Sequence, residues 1–318
     1  MLTLEERPVP EPGQGEARVR MLATPVNPSD LLFVRGLYSG VEARFPAPAG
    51  FEGVGVVDAL GPGAGNLAPG QRVSVVNGQG GNWADYAVVP AGDLIPVAAD
   101  VPDEQAASMV VNPASAVLML RHVLAVPRGQ WLLQSAAGSQ IGRMMIRLAQ
   151  RDGVRTINVV RRRESVAELQ ALGADAVIVA ADGPIDEQVR EIAGPEGVRY
   201  AVDPVAGATG TQMFKALHEE GRMLVYGSLT GEPILVGDDP RYTLAGRRVV
   251  EVFWLGYWLP RLDRAARDKL TAALADLVRE GVLETEPGRR YPLADITSAV
   301  TQAESTGKQG KVLLTPEA

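Results

Sequence analysis

The second half of the chain alternates between short apolar runs and longer amphipathic segments, and this alternation constrains the fold more than any other feature. Continuous apolar runs are typical of parallel strands buried on both faces, and the segments between them are typical of covering helices. The predicted strands are WLLQS (131–135), TINVVR (156–161), AVIVA (176–180), YAVDPV (200–205) and RMLVYGS (222–228). The predicted helices are IGRMMIRLAQRDG (141–153), ESVAELQALGA (164–174), EQVREIAG (187–194) and TGTQMFKALHEEG (209–221). Because crossovers between parallel strands are right-handed, the pattern predicts a doubly wound, Rossmann-type domain over residues 113–255.

Residues 1–112 have a different texture, with many prolines and glycines between short β-branched runs. Runs such as ARVRMLA (17–23) and GVGVVDAL (53–60) predict short strands in an irregular β-rich domain. Further along, DKLTAALADLVREG (268–281) predicts an amphipathic helix. The tail lacks the strand–helix alternation, so we assign residues 256–318 to the first domain.

Composition narrows the chemistry that is possible. The chain has no cysteine, which excludes disulfides, thiol catalysis, iron–sulfur clusters and zinc sites with thiolate ligands. Its two histidines, His122 and His218, lie far apart in sequence. A net charge of −7 argues against bulk electrostatic binding of nucleic acid, although a local basic pocket for a phosphorylated small molecule remains compatible with it.

We also expect neither a membrane span nor an export signal. No run approaches the roughly 18 apolar residues of a membrane span. The N-terminal segment is acidic and rich in proline, unlike a secretory or mitochondrial signal. We therefore predict a cytoplasmic protein that neither spans a membrane nor binds nucleic acid.

The segment SAAGSQIG (135–142) follows a predicted strand and begins a helix, which is the position of a dinucleotide-binding fingerprint. Read as G-x-G-x-x-G, its three glycine positions hold Ala137, Ser139 and Gly142. The amides at the start of the helix would bind a pyrophosphate. By itself, the motif fits equally well a turn whose small residues serve only packing.

Three arginines follow the next predicted strand. Arg161, Arg162 and Arg163 stand where an NAD-binding protein would carry an acidic residue for the ribose hydroxyls. A guanidinium pairs with a 2′-phosphate, so this run predicts NADP(H), with Arg161 the first candidate contact. A charge-assisted hydrogen bond worth about 1.5–3 kcal/mol would favour NADP by about 10–100-fold. The alternative is a solvated basic run at the start of a helix.

Short segments along nearly the whole chain resemble the medium-chain dehydrogenase/reductase superfamily. The most specific are TINVVR (156–161) and FWL (253–255). The other matching segments are PVNPSD (25–30), GLYS (36–39), GFEGVG (50–55), GNWA (81–84), VNPASA (111–116), VYG (225–227) and GKVLL (310–314). Within the superfamily, the chain is most similar to the mitochondrial-type trans-2-enoyl thioester reductases and their bacterial relatives. The resemblance implies an α/β architecture with a GroES-like β-rich catalytic domain over 1–112 and 256–318 and a Rossmann NADP-binding domain over 113–255.

Phe51 indicates the branch of the superfamily. Zinc-dependent members have Gly-His-Glu where this chain has Gly50-Phe51-Glu52, and phenylalanine cannot replace a histidine ligand. The resemblance is therefore to the zinc-free branch, and no metal is expected.

Carried over by match, the family's NADP contacts form a set spread over the strand ends and the C-terminal segment. They are Asn112, Gly138, Ser139, Gln140, Ile141, Gly142, Arg161, Arg162, Arg163, Tyr226, Gly227, Ser228, Leu229, Phe253, Trp254, Leu255 and Lys311.

The family's proton donor is a tyrosine, and its position in this chain is Tyr38. Reduction of an enoyl thioester places hydride on Cβ and negative charge on the enolate oxygen, so something must protonate Cα. A tyrosine with an ordinary pKa of about 10 carries its proton at pH 7. Without the resemblance, Tyr38 equally fits a surface loop. Asn27 and Trp83 are candidates for the substrate pocket, and for Trp83 a core position is equally compatible.

The resemblance thus implies zinc-independent reduction of an activated C=C bond by NADPH, with a small-molecule or carrier-bound enoyl substrate. A quinone oxidoreductase is the alternative within the same fold. A cofactor-binding protein without turnover is a third possibility. The family pairs through the edge strand of its nucleotide domain, near residues 249–253 here, which implies a homodimer. An interior strand would show the same apolar pattern.

Overall fold

The computed structural model describes residues 2–38, 44–237, 242, 246–305 and 310–317. The chain divides into two compact units, the first formed by residues 1–113 with 262–318 and the second by residues 114–261. Among the described residues, no helix has the length and apolar character needed to cross a bilayer.

The described strands and helices are given in chain order. The strands are β1 (Glu16–Pro25), β2 (Glu52–Leu60), β3 (Arg72–Val76), β4 (Tyr86–Pro90), β5 (Ile95–Pro96), β6 (Trp131–Gln134), β7 (Arg155–Val160), β8 (Ala176–Val179), β9 (Val198–Asp203), β10 (Leu217–Val225), β11 (Val249–Val252), β12 (Pro287–Pro292) and β13 (Lys311–Thr315). The helices are α1 (Pro28–Val34), α2 (Asp103–Ala106), α3 (Val111–Val117), α4 (Gln140–Asp152), α5 (Ser165–Ala171), α6 (Ile185–Ala193), α7 (Gly207–Lys215), α8 (Leu255–Trp258), α9 (Arg264–Arg279) and α10 (Ile296–Glu304). A π-helical turn, Leu118–Val123, continues α3.

The first unit contains a largely antiparallel sheet. Its strand order is β12-β13-β1-β2-β3-β5, and β4 pairs with β1 off this path. Only β12 and β13 run parallel to each other. Along β1 the buried side chains alternate, with Ala17, Val19 and Met21 at most 1% exposed, as expected for a strand with one face on the core. The predicted β-rich GroES-like architecture is confirmed.

The second unit contains a parallel sheet with the order β11-β10-β9-β6-β7-β8. Counted along the unit, this is the Rossmann order 3-2-1-4-5-6 read from the other edge, so the predicted doubly wound fold is confirmed. The direction of winding reverses between β6 and β9. The loops after these two strands therefore flank the crevice in which such folds bind their ligands.

One predicted helix is wrong over its second half. The run 209–221 was expected to be a single helix, but α7 ends at Lys215 and β10 begins at Leu217. Leu217 pairs with Val198 of β9 and is 1% exposed, so sheet pairing overrides the helical pattern. The ladder shifts register between Leu217 and Arg222, which accommodates the polar HEEG segment. His218 therefore lies on a strand, with its ring nitrogen 3.3 Å from Glu196.

Candidate functional site

The turn after β6 carries the fingerprint in the second unit. Ala136 has φ +48°, a left-handed conformation that glycine adopts more readily. The amide of Ser139 donates to the Ala136 carbonyl at 2.8 Å, and the Ser139 hydroxyl accepts the Gly142 amide at 3.1 Å as the N-cap of α4. Serine at a fingerprint position therefore has a structural reason, because it satisfies an otherwise orphaned amide of the first helical turn.

The two glycines of this turn differ in what surrounds them. A Cβ on Gly142 would lie 2.6 Å from the carbonyl oxygen of Ala137, so only glycine allows the helix to approach the preceding turn so closely. A Cβ on Gly138 would find only the Ser165 hydroxyl, at 4.0 Å. Protein packing thus explains Gly142 but not Gly138. A bare backbone at the start of a helix, with open space before it, fits a pyrophosphate.

Asp203, at the end of β9, joins the two loops at the switch point. Its carboxylate accepts a hydrogen bond from the Ser135 hydroxyl, which follows β6. It also accepts the amides of Val205 at 2.9 Å and Ala206 at 3.0 Å. The side chain is fully buried, so these donors compensate the loss of its hydration. Asp203 was not singled out from the sequence, although an acidic residue that ends an apolar strand was a visible signal.

The loop after β10 carries four of the predicted cofactor residues and is tied to the loop after β9. The Tyr226 amide donates to the Asp203 carbonyl at 3.0 Å, and a Cβ on Gly227 would lie 3.0 Å from the Pro204 carbonyl oxygen. Ser228 and Leu229 follow and are exposed.

The Tyr226 hydroxyl is buried and finds no hydrogen-bond partner within the described part of the chain. Burial, together with the Asp203 carboxylate, raises the pKa of Tyr226 above its ordinary value. The hydroxyl therefore stays protonated and remains a potential donor to a ligand.

The arginine run after β7 is exposed, but its three members are not equivalent. Arg163 forms an ion pair with Asp182 at 2.5 Å. The guanidinium groups of Arg161 and Arg162 have no hydrogen-bond or ion-pair partner among the described residues. Arg161 and Arg162 could therefore both pair with an anion at the position predicted for a 2′-phosphate.

The FWL segment follows edge strand β11. The Phe253 amide donates to the Val225 carbonyl at 2.8 Å, and Phe253 is buried at 4% exposure. Trp254 precedes α8, which begins at Leu255. Phe253 thus lies at a buried strand end, and its contact with the cofactor, implied by the resemblance, stays a prediction.

In the first unit, Tyr38 lies just beyond the end of α1. The Gly36 amide donates to the Phe33 carbonyl at 2.9 Å, and the Leu37 amide donates to the Leu32 carbonyl at 2.8 Å. These two hydrogen bonds form a Schellman motif at the end of α1. This ending requires the left-handed conformation seen at Gly36, with φ +71°. The chain reverses there, and the half-buried Tyr38 ring lies 5.2 Å from the ring of Phe51.

A buried polar network lies beside this aromatic pair. The Asn27 amide group donates to Glu52 at 2.9 Å, and the ammonium of Lys311 donates to the Asn27 side-chain oxygen. Glu52 also accepts the amide of Val111 at 2.9 Å, at the first turn of α3, where Asn112 lies. Asn27, Glu52 and Lys311 are all buried. Among the predicted site residues, the structure therefore joins Asn27 directly to Lys311.

Two carboxylates of this region have displaced pKa values. Asp30, fully buried, accepts the amides of Asn27 at 2.8 Å and Phe51 at 2.9 Å. Burial raises the pKa of Asp30 to about 7, although both amides and the charge of Lys311 oppose the shift. Burial also raises the pKa of Glu52, again against Lys311. This role of Glu52 was not predicted from the sequence, although a lone carboxylate in an otherwise apolar run was a visible signal.

Trp83 packs in the core of the first unit. Its indole N–H donates to the Pro25 carbonyl at 3.2 Å, and it is 9% exposed. A Cβ on Gly50 would lie 2.4 Å from the Trp83 ring, so glycine is required there. A place in the substrate pocket stays a prediction for both Trp83 and Asn27.

No group of three or more His, Asp or Glu side chains that could hold a metal ion occurs in the described ranges. The predicted residues of the second unit cluster at strand ends of one sheet, whereas Tyr38, Asn27, Asn112 and Lys311 belong to the first unit.

Comparison with known proteins agrees with this architecture. Residues 13–100 match the family model described as the alcohol dehydrogenase GroES-like domain, and residues 141–271 match the zinc-binding dehydrogenase model. A mitochondrial enoyl-[acyl-carrier-protein] reductase from Xenopus tropicalis is 33% identical, over 99% of this chain and 91% of that protein.

Two solved structures are also similar. A Bacillus thuringiensis protein provisionally named an NADPH:quinone reductase is 31% identical with a TM-score of 0.90, over 97% of this chain and 92% of its own. A mycobacterial protein solved as a complex with NADPH is 29% identical with a TM-score of 0.86, over 98% of this chain and 94% of its own. These matches confirm the predicted oxidoreductase class and the NADP(H) cofactor. The chain therefore belongs to the medium-chain dehydrogenase/reductase superfamily, among the relatives of the mitochondrial enoyl-[acyl-carrier-protein] reductases.

Proposed function

We propose that this protein uses NADPH, without a metal ion, to reduce the activated C=C bond of a trans-2-enoyl thioester. The observation that carries the proposal is the placement of Tyr38 against Phe51, at the position where zinc-dependent relatives have a histidine ligand. The Tyr38 hydroxyl is thus a proton donor beside a position where no metal ion is expected. The relative from Xenopus tropicalis, named an enoyl reductase, supports the same substrate class.

The second unit offers the features that a dinucleotide phosphate needs. Gly138 leaves an open backbone at the start of α4, and Arg161 and Arg162 are cations without partners in the described part of the chain. Of the other predicted contacts in this unit, residues 139–142 lie at the start of α4, Arg163 follows β7, and the rest follow β10 and β11, at the carboxyl edge of the same sheet. When bound, NADPH supplies the hydride. The protein's task is to hold the phosphates and leave the reacting face accessible.

The proton is the contribution of the first unit. Hydride addition at Cβ breaks the C=C π bond and leaves an enolate, whose Cα then forms a bond to the proton released by the Tyr38 hydroxyl. Water returns a proton to the tyrosinate. A positioned donor typically contributes about 10²–10⁴-fold to such a step.

NADPH oxidation with crotonyl-CoA and hexenoyl-CoA tests the substrate class. Turnover of at least one thioester, with saturation of its C=C bond shown by mass spectrometry, is the expected result. Turnover of a quinone with neither thioester reduced would contradict the proposal.

Quinone reduction is the second candidate, favoured by the Bacillus thuringiensis relative. Hydride addition to a quinone leaves a hydroquinone anion, whose oxygen takes its proton readily from water, so no positioned tyrosine donor is needed. Measuring both substrates with the same preparation decides between the two.

We further propose that the protein pairs through β11. This strand lies at one edge of the described parallel sheet, and Val249 and Val252 on it are 40% and 77% exposed. Apolar side chains on an unpaired edge favour association. Light scattering of the wild type and of Val252→Lys checks this. A dimer that becomes monomeric on substitution is expected, and a wild-type monomer would contradict it.

A further inference from the structure

Phe51 lies between two aromatic rings of the first unit. Its ring centroid is 5.2 Å from that of Phe33, in an edge-to-face arrangement at 72°, and 5.2 Å from that of Tyr38, tilted at 37°. Phe51 is 7% exposed, so almost its whole surface is used in packing. The Tyr38 ring therefore rests on a side chain that is itself fixed.

The backbone of Phe51 is held on both sides. Its amide donates to the Asp30 carboxylate at 2.9 Å, and its carbonyl accepts the Asn77 amide at 2.7 Å. Asp30 is fully buried and also holds the Asn27 amide at the start of α1. One buried carboxylate thus connects the beginning of the helix that precedes Tyr38 with the residue beneath the Tyr38 ring.

The residue before Phe51 adds a further constraint. Gly50 has φ +94°, and its Cα faces the Trp83 ring so closely that no side chain fits there. Trp83 is in turn anchored to the Pro25 carbonyl. Phe51 therefore has little freedom to move away from Tyr38.

We propose that Phe51 is a positioning residue that sets the orientation of the Tyr38 hydroxyl for proton transfer, with Asp30 fixing Phe51 through its amide. The inference rests on the proposed role of Tyr38 and adds to it. Phe51 touches neither substrate nor cofactor in this account and acts only through the tyrosine ring.

The physical reason is the position of Tyr38 beyond the end of a helix. The Schellman ending at Gly36 sets the direction of the chain but not the side-chain rotamer. An aromatic pair stabilises its geometry beyond the effect of its buried area, which is enough to favour one ring orientation. A misplacement of about 1 Å can cost about 100-fold in rate, so a loosened ring would lower kcat without weakening NADPH binding.

A double-mutant cycle separates positioning from a general packing role. The variants are Phe51→Ala, Tyr38→Phe and the pair, assayed for kcat with hexenoyl-CoA and for NADPH affinity by fluorescence titration. Phe51→Ala is expected to lower kcat about tenfold or more while the NADPH Kd changes less than about twofold. In the Tyr38→Phe background, the same change is expected to alter kcat by less than about twofold, because the group being positioned is gone.

Two further variants keep the test decisive. Phe45→Leu removes a ring that contacts Phe33 at 5.9 Å and is 55% exposed, and it is expected to leave kcat unchanged. Phe51→Leu refills the space beneath Tyr38 and should recover part of the lost rate. It also replaces Phe51→Ala in the cycle if that protein does not fold.

Each outcome has one meaning. Equal loss of kcat from the Phe51 change in both backgrounds, or no loss in either, would overturn the positioning role alone. An unchanged kcat in Tyr38→Phe itself would overturn the proposed role of Tyr38, and this inference with it. A loss confined to the Tyr38 background supports both.

Discussion

The Asp182 carboxylate holds Arg163 through two hydrogen bonds of 2.5 and 2.6 Å from one guanidinium nitrogen. Arg161 and Arg162 have no such partner in the part of the chain that the structure describes. The three arginines that read alike in sequence are therefore distinguished by one ion pair.

This difference predicts unequal effects on cofactor selectivity. Arg161→Ala should raise the Kd of NADPH by about 10-fold or more and leave that of NADH nearly unchanged, because one charge-assisted bond to the 2′-phosphate is lost. Arg163→Ala is the matched comparison. It should raise the Kd of NADPH less, since the Arg163 guanidinium is already paired with Asp182. Equal effects of the two variants on NADPH, or equal effects on NADH and NADPH, would contradict the assignment.

The two fingerprint glycines give a second matched pair. Gly142→Ala should lower the free energy of unfolding by about 1–3 kcal/mol, because the methyl group meets backbone that cannot move freely. Gly138→Ala should leave thermal stability nearly unchanged, because a Cβ there meets only the Ser165 hydroxyl at 4.0 Å, and should still weaken NADPH binding if the proposed pyrophosphate lies against that backbone. Denaturation curves and NADPH titrations of both variants check this. Undiminished affinity in Gly138→Ala would show that the pyrophosphate lies elsewhere.

Asp30 should make stability depend on pH. Burial raises its pKa from an ordinary 3.8 to about 7, so between these values the folded state binds a proton that the unfolded state has lost. The contribution of Asp30 to the free energy of unfolding therefore falls as the pH rises through this window and is lost above about pH 7.

Urea denaturation at pH 5 and pH 8 measures this dependence. Asp30→Asn, which is neutral at both values, should reduce the difference in stability between them. Asp268→Asn is the control for loss of a carboxylate, because Asp268 is 75% exposed. It should leave the difference in stability between the two pH values unchanged. An unchanged pH dependence in Asp30→Asn would contradict the assignment.

Substitution of Lys311 tests whether this residue is a structural cation or a cofactor contact. Lys311→Met leaves Asp30 and Glu52 buried without their cation and should destabilise the protein by about 3 kcal/mol or more. Unchanged stability together with much weaker NADPH binding would instead favour the cofactor role implied by the resemblance.

Local pattern predicted most strands and helices of the second unit, because they follow one another directly along the chain. The fingerprint turn between β6 and α4 was predicted for the same reason. Local pattern could not predict the network of Asn27, Glu52 and Lys311. Lys311 is 284 positions from Asn27, and sheet pairing brings the two residues together. The strand at Leu217 was missed because pairing with Val198 overrode a helical pattern.

The proposed reaction depends on the hydroxyl of Tyr38 as the proton donor. The most direct measurement is kcat/KM for hexenoyl-CoA and for a quinone in the wild type and in Tyr38→Phe, with NADPH saturating. Tyr38→Phe is expected to lower kcat/KM for the thioester by about 10²-fold or more, because a positioned proton donor is lost, and to leave kcat/KM for the quinone nearly unchanged. An unchanged value for the thioester, or an equal loss with both substrates, would contradict this role of Tyr38.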